Sequence, residues 1–132
     1  MIKLYTDAAT KGNPGPTGLG ALVVAHQQQF QLHQSAGVLS NHAGEFAAAQ
    51  FGFAYLLDHF APTEAVYFYT DSRLLADALQ KNYAKHFAPE LAALQRQMAQ
   101  FNLVISQWIP EKQNHGAHHL ATQALHEALA VH

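Results

Sequence analysis

Three acids stand where this chain is able to do chemistry: Asp7, Glu45 and Asp71. Asp7 closes a short β-prone run, Ile2–Asp7, and a stretch rich in Gly, Asn and Pro follows it, Ala8–Gly18. Gly supplies positive φ and Pro fixes φ near its turn value, so the chain reverses there. Asp71 closes another β-prone run, Ala65–Thr70, just before helical spacing resumes. Strand, acid, helix is the layout of an α/β unit, in which sites gather beyond the carboxyl ends of strands. Glu45 lies in the first turn of a helix expected from Ser40 or Asn41 onward. Taken singly, each has an ordinary explanation: Asp7 forms a turn, and Glu45 complements a helix dipole. Three acids in comparable places favour a charged site instead. A second group is His115, His118 and His119, three and four residues apart on an expected helix, where two imidazoles share a face able to hold a transition metal. Scattered surface histidine is the plainer explanation in a chain with 10 of them.

The elements that must position these residues follow from apolar periodicity. Gly20–Ala25 is an apolar run, and Phe30–Leu39 alternates through Phe30, Leu32 and Ala36 with the period of a half-buried strand. The short link between them makes an antiparallel hairpin, and with Ile2–Asp7 a three-stranded meander. Ser40 or Asn41 offers an N-cap. Phe46, Ala49, Phe53, Leu56 and Phe60 then recur at helical spacing up to Pro62. Ala65–Thr70 is a strand by its β-branched and aromatic content, and Leu74, Leu75, Ala78 and Leu79 mark a helix. Residues Asn82–Pro89 read as an irregular link, and Leu91, Leu94, Met98 and Phe101 as a further helix. Leu103–Ile109 is a last strand stopped by Pro110, and a final helix begins near Asn114. The tyrosines and Trp108 read as core rather than as a platform for stacking bases.

Composition bounds the function. The chain has 132 residues, 49% of them hydrophobic, with 7 Lys and Arg against 9 Asp and Glu, a net charge of −2 and no Cys. That length suits one domain around one core. No run is apolar enough to span a bilayer, so no membrane association is expected, and the amino end does not read as a secretion signal. Lack of Cys excludes disulfides and thiolate metal sites and fits a reducing cytoplasm. No strongly basic surface announces nucleic acid. A polyanion must be held by few cations, by amides or by bound metal ions.

The ordered set of motifs resembles type I ribonuclease H over essentially the whole chain. It comprises Thr6–Asp7 with Gly12, Asn13, Pro14, Gly15 and Pro16, then Glu45, then Thr70, Asp71 and Ser72. Trp108–Asn114, Ala117, Leu120 and Ala121 resemble the closing segment. The Gly-rich turn alone is weak, and it lacks the Lys and hydroxyl residue that end a P-loop. The resemblance implies a single ribonuclease H-like α/β domain over residues 1–132, with a five-stranded mixed sheet flanked by helices: an antiparallel meander plus parallel strands. The strand of Asp7 is expected between the meander and the strand of Asp71.

The implied activity is hydrolysis of the RNA strand of an RNA–DNA hybrid with two divalent ions, Mg2+ or Mn2+. Two hard cations make a water nucleophilic and neutralise a leaving 3′ oxygen, and hard cations want oxygen ligands. By the resemblance Asp7 bridges the ions, while Glu45 and Asp71 hold the ion near the leaving oxygen. The fourth ligand position holds His118 where the family normally presents Asp. Imidazole is softer, brings no negative charge and suits Mn2+, Zn2+ or Ni2+ better than Mg2+. The expectation is a slower Mg2+ enzyme, an Mn2+-preferring one, or a domain that no longer cuts and instead binds nucleic acid or a protein partner. The three standing acids favour the active readings. The loop before the last helix is short and lacks the His that many members carry, leaving Glu111, Lys112 or His115 as substitutes. Lys81, Lys85 and His86 supply little positive charge, so weak hybrid binding is expected. Neutral groups are then expected to read 2′-hydroxyls and groove shape. Asn13 and Asn41 face the RNA strand by resemblance, with a turn Asn and an N-cap as their ordinary alternatives. Ser72 and Arg73 are candidate duplex contacts beside Asp71.

Overall fold

A computed structural model describes residues 1–130; positions 131–132, the end of the expected domain span, lie outside the described residues. The meander consists of β1 (Ile2–Thr10), β2 (Gly15–Ala25) and β3 (Gln28–Leu39). Both strands flanking the Gly/Pro turn are longer than the sequence suggested, since ladder pairing of Ala8, Ala9 and Thr10 with Leu19, Gly18 and Thr17 carries them past Asp7. The β2–β3 connection is His26 and Gln27, with φ of 54° and 64°. Paired positive φ values match the twist of the adjoining strands. There follow α1 (Asn41–His59), β4 (Ala65–Thr70), α2 (Arg73–Lys81), α3 (Ala88–Met98), β5 (Leu103–Trp108), a 3-10 turn (Glu111–Gln113) and α4 (His115–Leu129).

The strand order is β3-β2-β1-β4-β5. β1 is antiparallel to β2 and parallel to β4, which is parallel to β5. Thus the strand of Asp7 lies between the meander and the strand of Asp71, and both carboxyl ends point the same way. Thr6 pairs with Thr70 across this junction, which puts the two acids side by side.

The apolar pattern explains the layers. Ile2 and Leu4 of β1, Val66 and Phe68 of β4, and Phe46, Phe53 and Leu56 of α1 are fully buried on one face of the sheet. α4 covers the other face over β2, β1 and β3. Its seat is made of glycine: a Cβ on Gly18 would lie 2.3 Å from the Ala121 carbonyl oxygen, and one on Gly20 would lie 2.3 Å from that of Ala117. No larger residue permits so close an approach.

Three expectations need correction. The Ser40 hydroxyl accepts from the Ala43 N–H, so Ser40 is the cap, Asn41 is already helical, and Glu45 falls beyond the first turn. The dipole explanation of Glu45 therefore loses its basis. Pro89 lies inside the first turn of α3, where a missing N–H costs nothing, so the irregular link ends sooner. Among the described residues no tyrosine is fully buried: Tyr55 packs half-buried against the core, Tyr5 and Tyr69 stack with centroids 4.8 Å apart, half-buried, on the sheet, and Tyr83 is exposed.

Candidate active site

Asp7, from β1, is buried, and Asp71 follows β4. Glu45 reaches them from the second turn of α1. One ligand oxygen of each acid lies within 4.8 Å of the others. The register explains half of this convergence, and the docking of α1 on β1 and β2 explains the rest.

Burial raises the proton affinity of all three, and the neighbouring acids add to it at Asp7 and Glu45. Burial, then the Asp71 charge, pushes the Asp7 carboxyl up to about 6, against the opposing hydrogen bond from His118. Burial, then the charges of Asp7 and Asp71, holds Glu45 well above the usual carboxylate range. Asp71 is raised by burial and lowered by its bond from Asn114. The Glu45 Oε1 atom is buried without any hydrogen-bond partner. Buried polar atoms are normally satisfied, so a sealed, unpartnered oxygen on a carboxylate of this cluster fits a bound cation. The donor set, oxygen only, fits a hard divalent ion such as Mg2+ or Mn2+.

His118 stands at the edge of this trio. Its Nδ1 is 2.9 Å from Asp7 Oδ2, while about half of its side chain is exposed. The glycine seat accounts for this placement. Asp7 pairs with Gly20 across the ladder, and Gly20 abuts the Ala117 carbonyl, so the next helical residue is brought beside Asp7. His115 and His119 are exposed and lie outside the ligand cluster, so the shared-metal reading of the histidines finds no geometry among the described residues.

The remaining sequence candidates have structural partners. Asn13 Oδ1 accepts from the Asn41 N–H at 2.9 Å, tying the Gly/Pro turn to the start of α1. Ser72 caps α2 by accepting from the Leu75 N–H. Arg73 is exposed and lies over the Trp108 indole. Of the three loop residues offered as substitutes for the absent His, only the Glu111 charge acts on Glu45 and Asp71.

Two residues were not picked out from sequence. Asn114, read only as a helix start, is buried, and its Nδ2 donates to Asp71 Oδ2 at 3.1 Å and to the Thr6 carbonyl at 2.9 Å. It orients one acid and fastens α4 to β1. Trp108, read as core, donates its Nε1–H to the Asp71 carbonyl at 3.1 Å. Their place in the closing motif was the available signal.

With this geometry in view, the sequence model of the RNase H family matches residues 1–126. The chain belongs to the RNase H family. It is 38% identical over 127 residues to a protein of Enterococcus faecalis named only as a hydrolase, EbsB, covering 95% of this chain and 94% of that one. It is 33% identical over 86 residues to a Ribonuclease H of Trichodesmium erythraeum, covering 65% of this chain and 52% of that one. Among solved structures, the N-terminal RNase H domain of rv2228c from Mycobacterium tuberculosis superposes with a TM-score of 0.89 at 24% identity, covering 98% and 96% of the two chains. LC11-RNase H1 in complex with an RNA/DNA hybrid gives a TM-score of 0.87 at 23% identity, covering 98% and 99%. These likenesses carry the RNase H fold.

Proposed function

We propose that this protein is an endoribonuclease that hydrolyses the RNA strand of RNA–DNA hybrids with divalent cations. The convergence of Asp7, Glu45 and Asp71, with one Glu45 oxygen buried and without a hydrogen-bond partner, carries the reading. Family membership and relatives named Ribonuclease H support it. So does a structural neighbour bound to an RNA/DNA hybrid.

Asp7, Glu45 and Asp71 would hold the ions. Bound divalent cations supply a nucleophilic water and neutralise the leaving oxygen of a phosphodiester. The chain's own part is to collect three negative charges that repel a phosphate unless they are neutralised, and to fix their directions. Asn114 holds one Asp71 oxygen, and Trp108 holds the Asp71 backbone. His118 contacts Asp7 directly, so it either donates to the carboxylate or, once turned away, offers a lone pair in place of a fourth carboxylate. A neutral donor there lowers the charge offered to Mg2+ and tolerates Mn2+ better. The Asn13–Asn41 bond and Ser72 shape the rim on which a hybrid would lie, with Arg73 beside them.

A second reading, a module that binds nucleic acid or a protein partner without hydrolysis, is favoured by one observation: His118 already occupies an Asp7 oxygen. Cleavage of a labelled hybrid, with Mg2+ and Mn2+ compared side by side, decides between them. The nuclease reading expects hydrolysis that Asp7→Asn lowers by orders of magnitude without unfolding the protein. Hybrid binding with no cleavage by either ion would leave the second reading standing.

A further inference from the structure

Arg73 is the first residue of α2, and its guanidinium lies 3.9 Å from the centroid of the Trp108 ring. A cation in the first turn of a helix is opposed by the helix dipole, and that turn holds no acid to offset it. Among the described residues, no carboxylate lies within ion-pair distance of Arg73. Its exposed N–H donors therefore have no anionic partner, while the guanidinium carbon rests over the indole. The same indole donates Nε1–H to the Asp71 carbonyl at 3.1 Å. Trp108 is itself fixed by the β4–β5 ladder opposite Thr70, and the Ile109 N–H bonds the Thr70 carbonyl at 2.9 Å. One ring thus sets the position of an unpaired cation relative to one acid of the cluster.

We propose that Trp108 holds Arg73 as a preset clamp for one phosphate of the bound nucleic-acid strand, adjacent to the phosphate that meets the three acids. The proposal rests on the nuclease reading and names a contact beyond it. Guanidinium presents a planar fork that matches a phosphate with two parallel hydrogen bonds. A free Arg loses its rotamer freedom when it binds, whereas one already lying on an indole has lost much of it beforehand. Such an arrangement matters more here than in a basic nuclease. The chain has only 7 Lys and Arg, carries a net charge of −2, and places three carboxylates next to the strand it must grip. Arg73 is exposed and Trp108 half-buried, so the clamp is open to a ligand while its base is anchored.

The test measures binding of a fluorescent RNA–DNA hybrid by anisotropy, in EDTA so that nothing is cut, over a salt series starting at low ionic strength. Loss of one phosphate contact reduces the slope of log K against log salt by about 0.9. Arg73→Gln is expected to show that reduction and to weaken binding about tenfold at moderate salt, the scale of one charge-assisted contact. Arg73→Lys keeps the charge, so it keeps the slope but loses affinity. Trp108→Leu weakens binding in the parent and has little further effect in Arg73→Gln, because coupled residues are not additive. Trp108→Phe, which retains a ring, lies closer to the parent and carries the test if Trp108→Leu melts too low. In the cleavage assay, Arg73→Gln raises KM more than it lowers kcat. If the parent binds hybrid and Arg73→Gln leaves the slope unchanged, or if the Arg73 and Trp108 effects are additive, the clamp is overturned and the nuclease reading stands. If the parent binds no hybrid at any salt in EDTA, the same series is read with Mg2+ on Asp7→Asn, which barely cuts; if that variant binds no hybrid either, both fall.

Discussion

Asp7→Asn should stabilise the metal-free protein above neutral pH. The Asp7 carboxyl is raised from 3.8 to about 6 by burial and by Asp71. A raised carboxylate means that, between about pH 4 and pH 6, the folded protein holds a proton that the unfolded chain has released. Stability therefore falls as pH rises through that window, and the whole cost persists above it. A rise of that size in the Asp7 carboxyl corresponds to about 3 kcal/mol. Asn has nearly the same shape and no charge, so it removes that cost. For 132 residues, an unfolding entropy of ~2.1 cal/mol/K per residue turns this into a rise in Tm of about 11 °C. The assay is a pair of thermal melts in EDTA at several pH values. The difference should be largest near pH 8, shrink through pH 6 and vanish near pH 4. Adding Mg2+ or Mn2+ should then raise the parent more than the variant, because a bound ion stabilises only the state that binds it. A variant that melts at or below the parent near pH 8 would refute the idea that the three acids repel one another in the absence of metal.

Three further outcomes follow from the same geometry. His118→Asp should raise Mg2+-supported cleavage and narrow the gap between Mg2+ and Mn2+, while His119→Asp, which lies outside the cluster, should behave like the parent; hybrid cleavage with each ion reads both. Asn114→Ala removes the donor to Asp71 Oδ2, so the Asp71 carboxyl should rise further and ion affinity fall by about 10-fold to 100-fold in a calorimetric titration. Gly20→Ala drives a methyl into the Ala117 carbonyl and displaces α4, and should cost roughly 1–3 kcal/mol or more in a denaturant melt. It should also separate His118 from Asp7 and lower any His118-dependent cleavage.

Local sequence was enough to specify the elements and most of the site. Strand alternation, helical spacing and turn residues depend on neighbours a few positions away, so β1 to α4 were legible in order. The end of a β-prone run placed Asp71, whereas Asp7 proved to lie inside β1, and the ordered motifs linked Glu45 and His118 to them. The remainder waited for the packed structure, because it depends on residues far apart in the chain. Local sequence left the helix dipole as an ordinary alternative for Glu45; it was removed only when Ser40 proved to be the cap and α1 brought the carboxylate to Asp7 and Asp71. Asn114 and Trp108 looked like a helix start and a core aromatic, because their bonds to Asp71 span 43 and 37 positions. Glycine at positions 18 and 20 reads locally as an ordinary small residue. Its meaning, a seat that admits the α4 backbone and sets His118 against Asp7, exists only once β2 and α4 have packed. Local periodicity fixes which face of an element is apolar, but the distance between two side chains depends on how closely their elements pack, and here a missing Cβ sets that distance.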